Sequence, residues 1–207
     1  MGMVSAAEVQ DRAAAYGLDV GSALAERLVA YLSLLLKWNT RINLTSVTGD
    51  GEAVDRLLLE GVKGAAVLGS AAVDVVDVGS GGGSPAIPLF LARGAGRLVL
   101  VEARQRKAAF LREAVRVLGL QGVRVAACRV AQLGDVPGLP GDVVTVRGVR
   151  LDAAMDSALA GVVKQRGKVL AFGGGVAGLG EGWEWEPPVA LPGSGAGELF
   201  VGRRKDE

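Results

Sequence analysis

Histidine is absent from this chain of 207 residues, and cysteine occurs once, as Cys128. One thiol and no imidazole cannot assemble a metal-ligand cluster, and a lone cysteine cannot close an internal disulfide, so a reducing compartment is the simplest inference. The missing histidine also removes the side chain most often used as a general base near neutrality. Reactions that must strip a proton from a hydroxyl, an exocyclic amine or a carbon are correspondingly disfavoured. Long hydrophobic runs are missing too: the longest apolar stretch, 65–73, contains Gly69 and Ser70 and is far too short to span a bilayer. The N-terminus shows no basic-then-apolar leader pattern, so the expected location is the cytoplasm. Half of the residues are apolar, and the 32 glycines follow no fixed period, which excludes a disordered or collagen-like chain and fits one domain with an appendage.

The formal net charge is only +1, yet it is unevenly spread. Residues 77–150 carry 11 Lys/Arg against 5 Asp/Glu, whereas 1–76 carry 6 against 9 and 151–207 carry 6 against 8. A local excess of this kind attracts an anionic partner even from a near-neutral chain; a solvated helix face is the alternative.

Hydrophobic spacing divides the chain in two. Residues 5–17, 22–37 and 51–68 repeat with helical period, with Leu24, Leu28, Tyr31, Leu32 and Leu35 forming one stripe and Ser22 placed to cap the second helix. From Val73 onward, short apolar runs alternate with helical segments, the pattern of a mostly parallel sheet covered on both faces. Strands are expected near 73–78, 97–102, 123–127, 142–147 and 167–172. Helices are expected near 85–93, 104–118 and 151–163, with a closing antiparallel pair at 183–189 and 197–203. Cys128 follows a short apolar strand beside Ala126 and Ala127, where a buried small residue is expected rather than a reactive thiolate. The expected organisation is a helical extension, 1–70, on an α/β domain, 71–207, packed as one unit.

Residues 76–83 read Val-Asp-Val-Gly-Ser-Gly-Gly-Gly. Asp77 interrupts a buried strand, and glycines 79, 81 and 83 let backbone approach a ligand closely, with Pro85 placed to open the following helix. In an open α/β sheet this loop lies in the crevice beyond the strands' carboxyl ends. A dinucleotide fingerprint needs G-x-G-x-x-G, but here Ser84 stands at the last glycine's place and the third glycine comes one residue early. The spacing instead resembles the first motif of S-adenosylmethionine-dependent methyltransferases. Glu102, closing the apolar strand from Leu98 to Val101, is suited to accept both hydroxyl protons of an adenosine ribose, a feature shared with NAD enzymes.

Two longer stretches are more specific: Lys37-Trp38-Asn39-x-Arg41-x-Asn43-Leu44-Thr45, and the glycine loop continued through Ser84-Pro85-Ala86-Ile87-Pro88. With Lys107 to Leu111, Arg129-Val130 and Arg147, they resemble the RsmG/GidB family of 16S ribosomal RNA guanine-N7 methyltransferases over nearly the whole chain. The resemblance implies a class I, Rossmann-like methyltransferase: a mostly parallel seven-stranded sheet flanked by helices, with a helical N-terminal extension. It implies S-adenosyl-L-methionine as cofactor, with Asp77, Gly79, Gly81 and Gly83 at the methionine moiety and Glu102 at the ribose. Backbone near Val130 and Ala131 would meet the adenine, and Arg147 would face the active-site mouth, touching both cofactor and reacting base. Arg41, Arg104 and Lys107 are the candidate RNA contacts. The implied partner is 16S ribosomal RNA or the small ribosomal subunit, with no membrane and no metal, the chain acting as a monomer. The chain departs from the family pattern at Leu57, Glu60 and Gly61, at Ser84, at Gly173 and around Gly197. Those departures motivate a second reading, a small-molecule or degenerate methyltransferase that kept the cofactor pocket. A third is a non-catalytic dinucleotide-binding module.

Overall fold

The computed structural model describes residues 4–133, 136, 139–193, 195 and 197–206. Helices α1 (Ala6–Ala15) and α2 (Ser22–Asn39) open the chain. Ser5 caps α1 by accepting a hydrogen bond from the Glu8 amide. Gly21, not Ser22, occupies the cap of α2: Ser22 is already helical, so its hydroxyl does not close the first turn. The third expected helix is interrupted: α3 (Asp50–Ala53) runs into a π-helical turn, Val54–Leu59, and emerges as α4 (Glu60–Leu68).

The sheet follows. Strands β1 (Asp74–Val78), β2 (Arg97–Val101), β3 (Val123–Ala126), β4 (Gly141–Arg147) and β5 (Val163–Phe172) are parallel; β6 (Trp183–Trp185), β7 (Val189–Ala190) and β8 (Glu198–Arg204) complete it. Between them lie α5 (Ala86–Arg93), α6 (Gln105–Val117) and α7 (Ala153–Val162). Seven strands form one path, β3-β2-β1-β4-β5-β8-β6, with β8 antiparallel to β5 and to β6. An eighth, β7, pairs with β8 off that path. The expected single strand 183–189 is thus two short ones, because Pro187 and Pro188 offer no amide protons to a ladder.

Strand periodicity sorts the side chains. Val75, Leu98, Leu100 and Val143 join the core under α2, α4, α5 and α6, while Val76, Val78, Val99, Val144 and Val146 join the core under α7 and β6. Covering both faces explains why these strands read as continuous apolar runs rather than alternating ones. By the same period, Asp77, Thr145 and Arg147 share the face of Val75 and Val143, the one that the N-terminal helices cover. The neighbours of β1 are β2 on one side and β4 on the other, so the crevice at the strand order's reversal lies at the end of β1.

Helix α4 approaches α5 too closely for a side chain. A Cβ at Gly61 would stand 2.5 Å from the Pro85 carbonyl oxygen and 2.8 Å from the Pro88 Cβ. Gly→Ala inside a helix ordinarily stabilises by roughly 0.5–1 kcal/mol. At Gly61 the sign is expected to reverse, because backbone cannot yield as a side chain does: Gly61→Ala should lower the unfolding free energy by about 1–3 kcal/mol in denaturant titration.

Candidate active site

The glycine loop hangs on β1 by hydrogen bonds from four directions. The amides of Gly79 and Ser80 donate to the Val101 carbonyl at 2.9 and 3.0 Å. The Gly81 amide donates to Glu102 Oε2 at 2.9 Å, and the other Glu102 oxygen accepts from the Arg104 amide at 2.7 Å. From the helical extension, the Tyr31 hydroxyl donates to the Gly82 carbonyl at 2.6 Å. Ser80 Oγ donates to the Asp77 carbonyl, closing the turn. Gly79 and Gly81 hold φ of +77° and +53°, which an L side chain rarely adopts.

Beneath the loop, the Asp77 carboxyl is almost fully buried. Its Oδ1 accepts from Thr145 Oγ1 at 2.6 Å, a contact set by the β1–β4 register that pairs residues 77 and 145. Its Oδ2 is buried with no hydrogen-bond partner. Burial pushes the Asp77 pKa up to about 6 against the opposing pull of the Thr145 hydroxyl and the Arg147 charge. Asp77 lines neither of the two cavities at this end of the sheet, so the orphaned oxygen lies beneath the loop rather than in open space.

Two cavities meet here. One, of about 610 Å³, is lined by Gly79 to Gly82, Glu102 and the 43–47 segment. The other, of about 890 Å³, lies beyond β4 and β5, between the π-helical turn and the Gly173 to Gly175 loop. Arg56, Arg147, Gly148 and Val149 line both and form the wall between them. Arg147 Nη1 donates to the Arg56 carbonyl at 2.6 Å and to Ser84 Oγ at 3.1 Å, and pairs with Glu60 Oε2 at 3.2 Å. Burial lowers the pKa of Arg147 and raises that of Glu60, each countered by the other's charge.

The structure gathers only part of the expected set. Gly79, Gly81, Glu102 and Arg147 line the first cavity, joined by Arg104 and Lys107, which reach its rim rather than a separate RNA face. Gly83 does not line it: its alpha carbon faces Ile87 and Leu111, so this glycine serves the packing of the loop against α5 and α6. Val130 and Ala131 follow β3. They belong to a 3-10 turn, and Val130 packs into the core on the sheet's other face. Arg41 is exposed on the turn after α2, two residues before Asn43, which does line the first cavity. Asn39 builds that turn, its Oδ1 accepting from the Leu44 and Thr45 amides and its Nδ2 donating to the Thr45 carbonyl. Trp38 stacks obliquely on Phe110 of α6, centroids 5.7 Å apart, fastening the extension to the sheet's helix layer. Cys128 is half-buried against the core on the other face.

Thr145 escaped the sequence reading, Tyr31 entered it only as a core residue of the second helix, and Glu60 only as a departure from the family pattern. Thr145 and Glu60 carried a signal, a polar residue inside an apolar strand and an acid inside an apolar helix; Tyr31 looked like any core aromatic. Among the described residues, no cluster of His, Cys, Asp and Glu suits a metal ion, and no helix is long and apolar enough to cross a membrane.

Comparison with known proteins concerns the chain's family and fold. The profile of the family described as rRNA small subunit methyltransferase G matches residues 24–177. A ribosomal RNA small subunit methyltransferase G of Stenotrophomonas maltophilia is 37% identical over 210 residues, spanning 95% of this chain and 92% of the relative. One from a Roseiflexus species is 37% identical over 161 residues, 77% of this chain and 69% of the relative. In fold, the chain is similar to a mutant of MtNAS in complex with S-adenosylmethionine, with a TM-score of 0.62 at 17% identity over 97% of this chain and 89% of that one. It is also similar to the putative methyltransferase yhhF from Escherichia coli, with a TM-score of 0.55 at 14% identity over 68% and 80% of the two chains.

The buried Asp77 makes the ligand-free protein pH-sensitive. A carboxyl whose pKa is raised on folding contributes most below its unfolded value, and that contribution is lost as pH rises through the folded value, here about 6. Between pH 4 and pH 7 the wild-type chain should therefore lose up to roughly 3 kcal/mol relative to Asp77→Asn, measured by denaturant unfolding at each pH.

Proposed function

Because the chain belongs to the rRNA small subunit methyltransferase G family and has the class I methyltransferase fold, we propose that it transfers a methyl group from S-adenosylmethionine to N7 of a guanine in 16S ribosomal RNA. The reaction takes place in the cytoplasm, on the RNA or the small ribosomal subunit. The observation that carries the reading is the pair of adjoining cavities, one floored by the glycine loop, meeting at Arg147.

The residues of the first cavity fit the cofactor. Beneath its glycine loop the Asp77 carboxyl supplies negative charge that favours the ammonium of the methionine moiety, although Asp77 itself does not line the cavity. A Cβ at Gly81 meets no protein atom closer than 3.7 Å, so the alpha carbon faces open space where a ligand can lie against backbone. Each Glu102 oxygen holds one amide proton and keeps lone-pair capacity for a ribose hydroxyl. When bound, the cofactor supplies a sulfonium methyl that is displaced in line by the guanine N7 lone pair.

The second cavity suits a neutral base better than a phosphate. Its arginines, Arg12, Arg56 and Arg147, are each paired with an acid, Asp55, Glu52 or Glu60. Phosphates fall instead to unpaired surface cations, Arg104 and Lys107 at the rim of the first cavity and Arg41 nearby. No general base is needed, since N7 already carries a free lone pair and its product is cationic. The chain's work is alignment and exclusion of water, effects worth up to roughly 7–11 kcal/mol. A guanine splayed from a loop is the fitting target, because the major groove of A-form RNA is too narrow to admit side chains.

The test is methyl transfer from labelled cofactor to small subunits isolated from cells lacking this protein, with nucleoside mass spectrometry. The expected product is 7-methylguanosine; a methyl on a ribose or an exocyclic amine overturns the assignment. With both substrates saturating, the single-turnover rate should be nearly flat between about pH 6 and pH 8, and a tenfold ascending limb would reveal an essential base. Glu102→Gln should weaken cofactor binding by roughly 1.5–3 kcal/mol in calorimetry, the worth of a charged hydrogen bond.

A further inference from the structure

A ladder of alternating charge lines the second cavity, running from Glu52 of α3 through Arg56 of the π-helical turn and Glu60 of α4 to Arg147 of β4. Glu52 pairs with Arg56 at 3.0 Å, Arg56 Nε stands 4.0 Å from Glu60 Oε1, and Glu60 Oε2 stands 3.2 Å from Arg147 Nη1. Exposure falls along it: the Arg56 and Glu52 side chains are nearly half exposed, Arg147 retains 18% and Glu60 9%. The last rung is therefore the desolvated one. A glutamate is ordinarily kept at the surface, and burial raises the pKa of this one, so its position has a cost that a merely solubilising acid does not bear.

What the last rung does is visible in the guanidinium. All three of Arg147's polar contacts fall on Nη1: the Arg56 carbonyl, Ser84 Oγ and Glu60 Oε2. Its Nε and Nη2 bond to no described residue, and neither is sealed from solvent. One prong of a planar fork is held, leaving the other edge, a parallel pair of N–H donors, for an acceptor in the cavities. Of the three groups holding Nη1, only Glu60 bears charge. The other two are a carbonyl and a hydroxyl, and neither offsets the cation in a half-buried wall.

We propose that Glu60 is a positioning residue, which fixes the Arg147 guanidinium at the wall between the two cavities so that its free edge meets an acceptor on the reacting ligands. Glu60 acts through Arg147 and touches neither reactant. Removing it takes away the cation's directly paired counter-charge, leaving only the more distant influence of Asp77, and the side chain swings toward water. The catalytic part of this inference rests on the methyl-transfer reading above; the anchoring part does not.

Two readouts separate these parts. In arginine-labelled protein, the Arg147 guanidinium should give distinct, slowly rotating Nη signals, assigned by their loss in Arg147→Lys. These signals should collapse to an averaged one in Glu60→Gln while the fold's other signals stay in place. Persistence of the distinct signals in Glu60→Gln overturns the proposal whatever the activity. In single-turnover methyl transfer, Glu60→Gln should slow the wild-type chain roughly tenfold or more but change the Arg147→Lys variant by less than about threefold, the non-additivity of residues that act as a unit. Equal fold-losses in both backgrounds overturn the proposal. Glu60→Asp keeps the charge but withdraws the carboxylate by one methylene; it should show the same non-additivity, and serves if the glutamine variant does not fold. A wild-type chain that methylates no ribosomal RNA refutes the functional reading, and the Arg147 signals then decide the role of Glu60.

Discussion

A carboxyl with one hydrogen bond and one vacant oxygen, sealed beneath a glycine loop, is the constraint around which this protein is arranged. Asp77 is tolerable inside the sheet because the parallel register sets Thr145 beside it, at the strand's end beneath the glycine loop. The loop above is not left to adapt. Glu102 holds Gly81, Tyr31 holds Gly82 and the end of β2 holds Gly79 and Ser80, so each turn of backbone is fixed from a different element before a ligand arrives.

This arrangement gives the helical extension a task beyond covering apolar surface. Tyr31 and Leu35 of α2 bear on Gly82, and the 43–47 segment that Asn39 folds back walls the first cavity. The π-helical turn brings Arg56 and Glu60 to the second cavity while its Asp55 turns inward to Arg12 and Tyr16. Tyr16 in turn accepts from the Gly193 amide, tying the first helix to the loop before β8. Extension and sheet thus share one site, and loss of the N-terminal helices would remove part of its walls as well as a layer of core.

Much of this was legible in the residues. Alternation and run length located five parallel strands, and the acid-tipped glycine loop with an acid after the next strand located the crevice at the end of β1, because both signals follow from backbone geometry. What depended on tertiary neighbours was not legible. Gly83 has the spacing of a ligand glycine, yet its missing side chain makes room for Ile87 and Leu111. Val130 follows the third strand in a 3-10 turn, and nothing in the spacing announced that its side chain would pack into the opposite core. Helical periodicity does not distinguish an α turn from a π turn, so the rotation that brings Glu60 to Arg147 left no trace in the pattern. Thr145 is informative only once it is known to lie across from Asp77.

The central claim is that S-adenosylmethionine binds above the glycine loop with its ammonium drawn to the Asp77 carboxylate. A carboxyl titrating at about 6 in the free protein must then become fully ionised in the complex. The direct measurement is calorimetric titration with S-adenosylmethionine at pH 6 in buffers of different ionisation enthalpy, which counts protons exchanged on binding. The account predicts release of about half a proton by the wild-type chain and none by Asp77→Asn. Binding without proton release, or with the same release in both chains, would contradict it.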